Sequence, residues 1–178
     1  MDQATEVAFY LDEAGPYLVR PQPGQKWCIC KIYKTPARWK SRGKVVVFGA
    51  LKINPGKVYH HINQSKEHKV MLKFIRRLAR LYRHMKTLYL IWDNDRPHEA
   101  KGLHNWISSW NKKDEVRLKV LPLPTYSPWL NPIEPIFGDL YKKVIAGSNF
   151  RWPCNMANAI HGYFRHKNRK TKQEVSNP

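Results

Sequence analysis

A chain of 178 residues has room for one domain with its own core, and 42% hydrophobic residues, including 7 Trp and 9 Tyr, exclude a disordered polyelectrolyte. Its 32 Lys and Arg against 13 Asp and Glu leave a formal charge of +19, a surface suited to a polyanion: nucleic acid first, an anionic membrane face second. No apolar run approaches the ~18 residues of a membrane span, no signal peptide is seen, and an odd three cysteines suit a reducing compartment.

Val7–Leu11 reads as a buried strand that ends in Asp12-Glu13, with Ala14-Gly15-Pro16 as the turn after it. Alone, these two acids are as well explained by solvating a loop. From residue 17 to 42 the prolines at 21, 23 and 36 break the pattern. Trp27–Tyr33 is the one short strand expected there, with Cys28 and Cys30 on one face as small buried hydrophobes. Seven Lys and Arg with Trp27, Tyr33 and Trp39 interleaved make this a cationic, partly aromatic surface. Gly43–Ile53 is a strong strand, Asn54-Pro55-Gly56 a turn, and Lys57–Ile62 its antiparallel partner. Adjacent on that strand, His60 and His61 face opposite sides and are expected to be exposed.

The period then becomes helical. Met71, Phe74, Ile75, Leu78, Tyr82 and Met85 form one face of a helix from Ser65, its expected N-cap, to about Met85. Its other face carries Lys69, Lys73, Arg76, Arg77, Arg80 and Arg83. Six cations without balancing acids favour contact with DNA phosphates over a merely solvated face.

Leu88-Tyr89-Leu90-Ile91-Trp92 reads as a strand buried on both faces, and it stops at Asp93 before the turn Asn94-Asp95-Arg96-Pro97. In open α/β sheets ligands bind at the carboxyl ends of strands, which is where Asp93 stands; its plainer role would be to cap the next helix. That helix spans about Glu99 to Trp110, with Leu103, Trp106, Ile107 and Trp110 as its apolar stripe. Val116–Leu121 alternates apolar and basic, as a half-exposed edge strand does. A proline-stiffened loop leads into Tyr126-Ser127-Pro128-Trp129-Leu130-Asn131-Pro132-Ile133-Glu134. With Asn131 as N-cap, Glu134 would be the third residue of a capping box, but Pro135 would then crowd the cap carbonyl, so the helix starts later or its first turn is distorted. It runs to Ile145, burying Ile136, Phe137, Leu140, Tyr141, Val144 and Ile145, with Gly147 suited to its C-terminal end. A short helix is expected within 149–163, and a basic, flexible tail after Arg165.

These elements describe an α/β fold, a mixed sheet of about five strands flanked by helices, in residues 1–150, with 151–178 as a short helix and tail. Three lone carboxylates on so cationic a chain, Asp12, Asp93 and Glu134, are accounted for by divalent cations. Mg²⁺ takes carboxylate oxygen and keeps positions open for water and phosphate. Two such ions, about 3.5–4 Å apart, clamp the attacking and leaving oxygens of an in-line phosphoryl displacement. No GxGxxG, P-loop or GxSxG motif signals another cofactor or a nucleophilic serine.

The segments Asp12-Glu13-Ala14-Gly15, Trp92–His98 and Tyr126–Glu134, in that order, resemble the catalytic domain of DDE transposases of the IS630/Tc1/mariner superfamily, over about residues 6–147. The third, Ser-Pro-x-Leu-Asn-Pro-Ile-Glu, is the most specific. The resemblance implies an RNase H-like fold and Mg²⁺-dependent chemistry, with Mn²⁺ as substitute and two ions per site. It further implies cleavage at transposon ends, then strand transfer by the freed 3′-hydroxyl into target DNA. Carried over by motif, Asp12, Asp93 and Glu134 are catalytic and metal-binding, and Asn94, Arg96 and His98 support them or contact DNA. DNA is the implied partner, without a membrane, in a homodimer, in the cytoplasm or at the nucleoid of a bacterial or archaeal host. The 40 residues between Asp93 and Glu134 favour a bacterial insertion-sequence relative over the compact mariner spacing. No helix-turn-helix region precedes the first strand, so an isolated catalytic domain, a separately encoded half or a repurposed remnant is expected. An RNase H-like nuclease without strand transfer, and a silent DNA-binding descendant, are the alternatives.

Overall fold

A computed structural model of the chain describes residues 5–27, 32–35, 40–92, 97–113, 116–124 and 127–176, without the side chains of 24–27, 32–35, 97–101, 103, 128 and 175–176. Five strands form one sheet: β1 (Glu6–Leu18), β4 (Lys44–Lys52), β5 (Val58–Asn63), β6 (Thr87–Trp92) and β7 (Arg117–Pro122), in the spatial order β5-β4-β1-β6-β7. β1 and β6 run parallel, as do β6 and β7. β4 opposes β1: Ile53 N–H donates to Ala8 at one end while Val19 N–H donates to Gly43 at the other, so numbering rises along one strand as it falls along the other. The sheet is therefore mixed, and the alternating β7 lies at an edge as its pattern predicts.

The chain forms two compact units. The first comprises Met1–Asp12, Phe48–His61 and Glu67–Glu134. Its core is built where β1 lays Val7, Phe9 and Leu11 on one face and α1 (His68–Leu81) answers with Met71, Phe74, Ile75 and Leu78, all buried. Burial of these side chains is worth roughly 1.5–3 kcal/mol each before chain entropy is counted. Phe9 meets Tyr59 and Tyr82 edge to face, and the two tyrosine hydroxyls share a 2.6 Å hydrogen bond. α2 (Pro97–Asn111) closes on β7 through Asn111, whose side chain donates to the Leu118 carbonyl at 2.9 Å and accepts the Leu118 N–H at 2.8 Å.

The second unit comprises Glu13–Val47, Ile62–Lys66 and Pro135–Pro178. Val19, Val45, Val46 and Val47 are buried in it, with Phe137, Leu140 and Ile145 from α3 (Glu134–Leu140) and the π-helical turn after it. α4 (Pro153–Ser176) adds Met156, Ile160 and Phe164, all fully buried. A two-stranded antiparallel hairpin, β2 (Gly24–Trp27) and β3 (Ile32–Thr35), completes it.

Several expectations are corrected. β1 does not stop at Asp12-Glu13 but runs through Ala14-Gly15-Pro16 to Leu18. Gly15 permits this: it has φ of +105°, and a Cβ there would lie 2.9 Å from the Val45 carbonyl, so glycine marks close passage of two chains and not a reversal. The single strand expected over 27–33 is instead the β2–β3 hairpin; Cys28 and Cys30 lie outside the described residues. α1 begins at His68 with Glu67 at its cap position, not Ser65, and ends at Leu81. β6 is buried on one face only, with Leu88 and Leu90 inside and Tyr89, Ile91 and Trp92 half-buried. His61 is packed, stacked on Phe74 at 6.3 Å, and His60 is half-buried. Tyr141 is exposed, because the helix widens to a π turn at that residue and rotates its later side chains. α4 is one 24-residue helix where a short helix and flexible tail are expected. Phe164, one turn past Ile160, extends its buried stripe, and the polar remainder continues the helix.

Candidate active site

Asp12 lies on β1 one residue beyond Leu11, half-buried, on the face opposite Phe9 and Leu11. Leu11 is register partner to Trp92, the last described residue before Asp93. The parallel pairing of the two central strands thus brings the ends of the first and second motifs side by side. Asp93, Asn94 and Arg96 lie outside the described residues, and His98 is the second residue of α2, its side chain likewise outside.

The third motif is tied to the same strand. Asn131 is only 2% exposed and donates its Nδ2–H to the Leu11 carbonyl at 3.4 Å, while its Oδ1 accepts the Ile133 N–H at 3.4 Å. Ile133 is fully buried beside it. A buried amide needs both its donor and its acceptor satisfied, and these bonds fix the loop against the middle of β1. Glu134, exposed, then opens α3, its N–H bonded to the Asn131 carbonyl at 3.1 Å. The helix therefore starts two residues later than a capping box would require. Pro135 falls in its first turn, where a proline costs nothing. Asn131 was read in the sequence as a helix cap; its bridge to β1 is the function that reading missed. The signal was available in a single amide set among Leu130, Pro132 and Ile133.

The neighbouring acids are committed elsewhere. Glu13, on the other side of β1 by strand alternation, pairs with Lys66 at 2.9 Å. Asp139 accepts from Lys143 Nζ at 3.0 Å and from Tyr163 Oη at 2.8 Å. The lysine first and the phenol second hold its carboxyl below the usual range. Burial, reinforced by that bond to Asp139, pushes the Tyr163 phenol up. Glu134 has no ion pair among the described residues. No three His, Cys, Asp or Glu gather as metal ligands among the described residues, a set that does not include Asp93.

Lys69, Lys73, Arg76, Arg77 and Arg80 of α1, and Arg83 just past its end, are all exposed. Beside the third motif Trp129 is 75% exposed and Leu130 is exposed too. Among the described residues no helix is long and apolar enough to cross a membrane.

The family model described as DDE superfamily endonuclease matches residues 8–152. A 39 kDa protein of insertion element IS630 from Shigella sonnei is 29% identical over 141 residues, covering 79% of this chain and 39% of that protein. The Mos1 mariner paired end complex with Mn gives a TM-score of 0.58 at 18% identity, over 92% of this chain and 53% of that one. The Mos1 strand transfer complex gives 0.55 at 17%, over 97% and 54%. The sheet is thus the RNase H-like one the resemblance implies. The chain spans about two fifths of the insertion-element relative and half of the solved ones.

Proposed function

We propose, on the premise that this chain belongs to the DDE superfamily endonuclease family, that it is a transposase catalytic domain which cuts DNA at element ends and joins the freed 3′-hydroxyl to target DNA. The observation that carries this reading is the approach of segments of all three motifs to the middle of β1: Leu11 pairs with Trp92 and receives the Asn131 amide. Asp12 follows Leu11, Asp93 follows Trp92, and Glu134 follows Asn131 by three residues.

The donor set fits a hard cation. Asp12, Asp93 and Glu134 offer carboxylate oxygen with no thiolate or imidazole, which suits Mg²⁺ or Mn²⁺ and not zinc. These three side chains would hold the ions. Bound there, a divalent pair supplies activation of the attacking oxygen and stabilisation of the leaving one. The protein does the rest. Asn131 holds the loop that presents Glu134. The exposed cations of α1 grip the backbone by charge alone, since phosphate contacts position DNA without reading it. Asn94, Arg96 and His98 follow the second acid closely enough in sequence to contact the same strand.

The test is cleavage of a duplex carrying the ends that flank the gene, in Mg²⁺ or Mn²⁺ and again in excess chelator, with joined product scored separately. Wild type is expected to cleave and join only with the metal. Asp12→Asn, Asp93→Asn or Glu134→Gln should each lower cleavage about a thousandfold, the equivalent of roughly 4 kcal/mol of barrier. Cleavage without joining would reduce the chain to a nuclease. Wild type as inactive as the variants would leave a silent DNA-binding descendant.

A further inference from the structure

The later turns of α1 and α2 line a concave pocket of about 740 Å³ that the carboxylates do not use. Arg76 and Arg80 come from α1, Arg83 from the turn after it, Trp106 and Trp110 from α2, and Lys113 from the turn after that helix. Among the described residues the pocket is lined by four cations and no acid. The C-terminal ends of two helices bring roughly half a negative charge each, so about three positive charges remain in excess among the described residues, a lining that favours an anion.

Charge alone does not account for the indoles. Trp106 and Trp110 lie 5.4 Å apart at 39°, both half-buried, over a floor of Ala79 and Val116. Trp110 donates its Nε1–H to the Val116 carbonyl at 3.1 Å, which fixes the ring and removes its need for water. The Arg76 guanidinium stands 5.7 Å from the Trp106 ring centre, where it meets the ring's π face and keeps N–H groups for phosphate. Inorganic phosphate would use the cations and ignore this wall. A duplex buries its base faces in its own stack and would do the same. A ligand that uses both features carries phosphate and an unstacked flat ring together.

We infer that this pocket is a subsite for single-stranded DNA, which stacks an unpaired base on Trp106 and Trp110 and sets its phosphates on Arg80, Arg83 and Lys113. The choice of DNA over RNA rests on the proposed function, because cutting at element ends exposes unpaired strands. Stacking on an aromatic platform tolerates any base, so the subsite would hold a strand without reading it.

The test uses the whole chain in chelator, with a labelled oligothymidylate of about eight nucleotides, an abasic strand of equal charge, the matching duplex and an oligouridylate. The thymidylate should quench tryptophan fluorescence and bind roughly tenfold more tightly than the abasic strand. Trp106→Ala should lose that margin and keep its affinity for the abasic strand, while Arg83→Gln with Lys113→Gln weakens both. Circular dichroism checks each fold; if Trp106→Ala unfolds, Trp106→Leu, which keeps bulk without a π face, takes its place. Equal binding of thymidylate and abasic strand would overturn the subsite, and so would an unaltered margin in the Trp106 variant. Preference for the uridylate would overturn its assignment to DNA. Cleavage is read apart from this: a chain that never cuts yet shows the base margin refutes the transposase reading and retains the subsite.

Discussion

Asp139 spends its charge within the protein, on Lys143 at 3.0 Å and Tyr163 at 2.8 Å, whereas Glu134, five residues earlier on the same helix, is exposed and has no ion pair among the described residues. The contrast repeats on β1, where Glu13 is held by Lys66. A carboxylate with a local cation is accounted for by the fold. One presented at the start of a helix, on a loop anchored by a buried amide, is accounted for by something brought from outside. The cations divide in the same way: Lys66 and Lys143 are spent on acids of the protein, while Lys69, Lys73, Arg77 and Arg80 of α1 are exposed.

The largest test of this division is exchange of the two acids of α3. Glu134→Gln should lower metal-dependent cleavage about a thousandfold with the melting temperature unchanged. Asp139→Asn should do the opposite, sparing the chemistry and lowering stability; a thousandfold loss of cleavage in Asp139→Asn without destabilisation would break the comparison. Next, replacing Lys69, Lys73 and Arg77 together by Gln should make the salt dependence of DNA binding shallower by about one logarithmic unit per charge. An unchanged slope would mean that these cations do not meet phosphate.

Smaller effects sharpen the same picture. Asn131→Ala strips partners from the Leu11 carbonyl and the Ile133 N–H, and should cost about 1–3 kcal/mol, read as a lower melting temperature. Cleavage should fall as well, by about tenfold, because Glu134 loses its anchor. Tyr163→Phe should cost about 1 kcal/mol at neutral pH. Because the folded Asp139 carboxyl lies below its ordinary 3.8, its contribution is full above that value and is lost as pH falls through the lowered one. Urea unfolding of wild type and Tyr163→Phe should therefore differ less as pH falls below 3.8, with the bond to the Ile136 carbonyl left in wild type.

Much of this was legible beforehand. Helical and alternating patterns located α1, α2, β4, β5 and β7 within a few residues, because local periodicity reports which face a segment buries. The acids drew attention by their isolation on a cationic chain. Gly15-Pro16 misled, since the same residues that make a turn also let one strand pass close to another, and the sequence does not say which. Trp106 and Trp110 read as an ordinary apolar stripe; only the arginines of a distant helix turn them into the wall of a cationic pocket.

What the sequence determined by itself is the set of elements and the chemistry of their termini: strands that run toward acids, a basic helix face, and a loop whose single amide sits among apolar neighbours. Those properties follow from short-range sterics and from the cost of burying charge, and they need no partner to be stated. Only the tertiary structure decided which termini meet. That Leu11 pairs with Trp92 and accepts from Asn131 depends on contacts between residues separated by 81 and 120 positions. Such contacts form by long-range pairing and core packing, for which no local pattern carries the register.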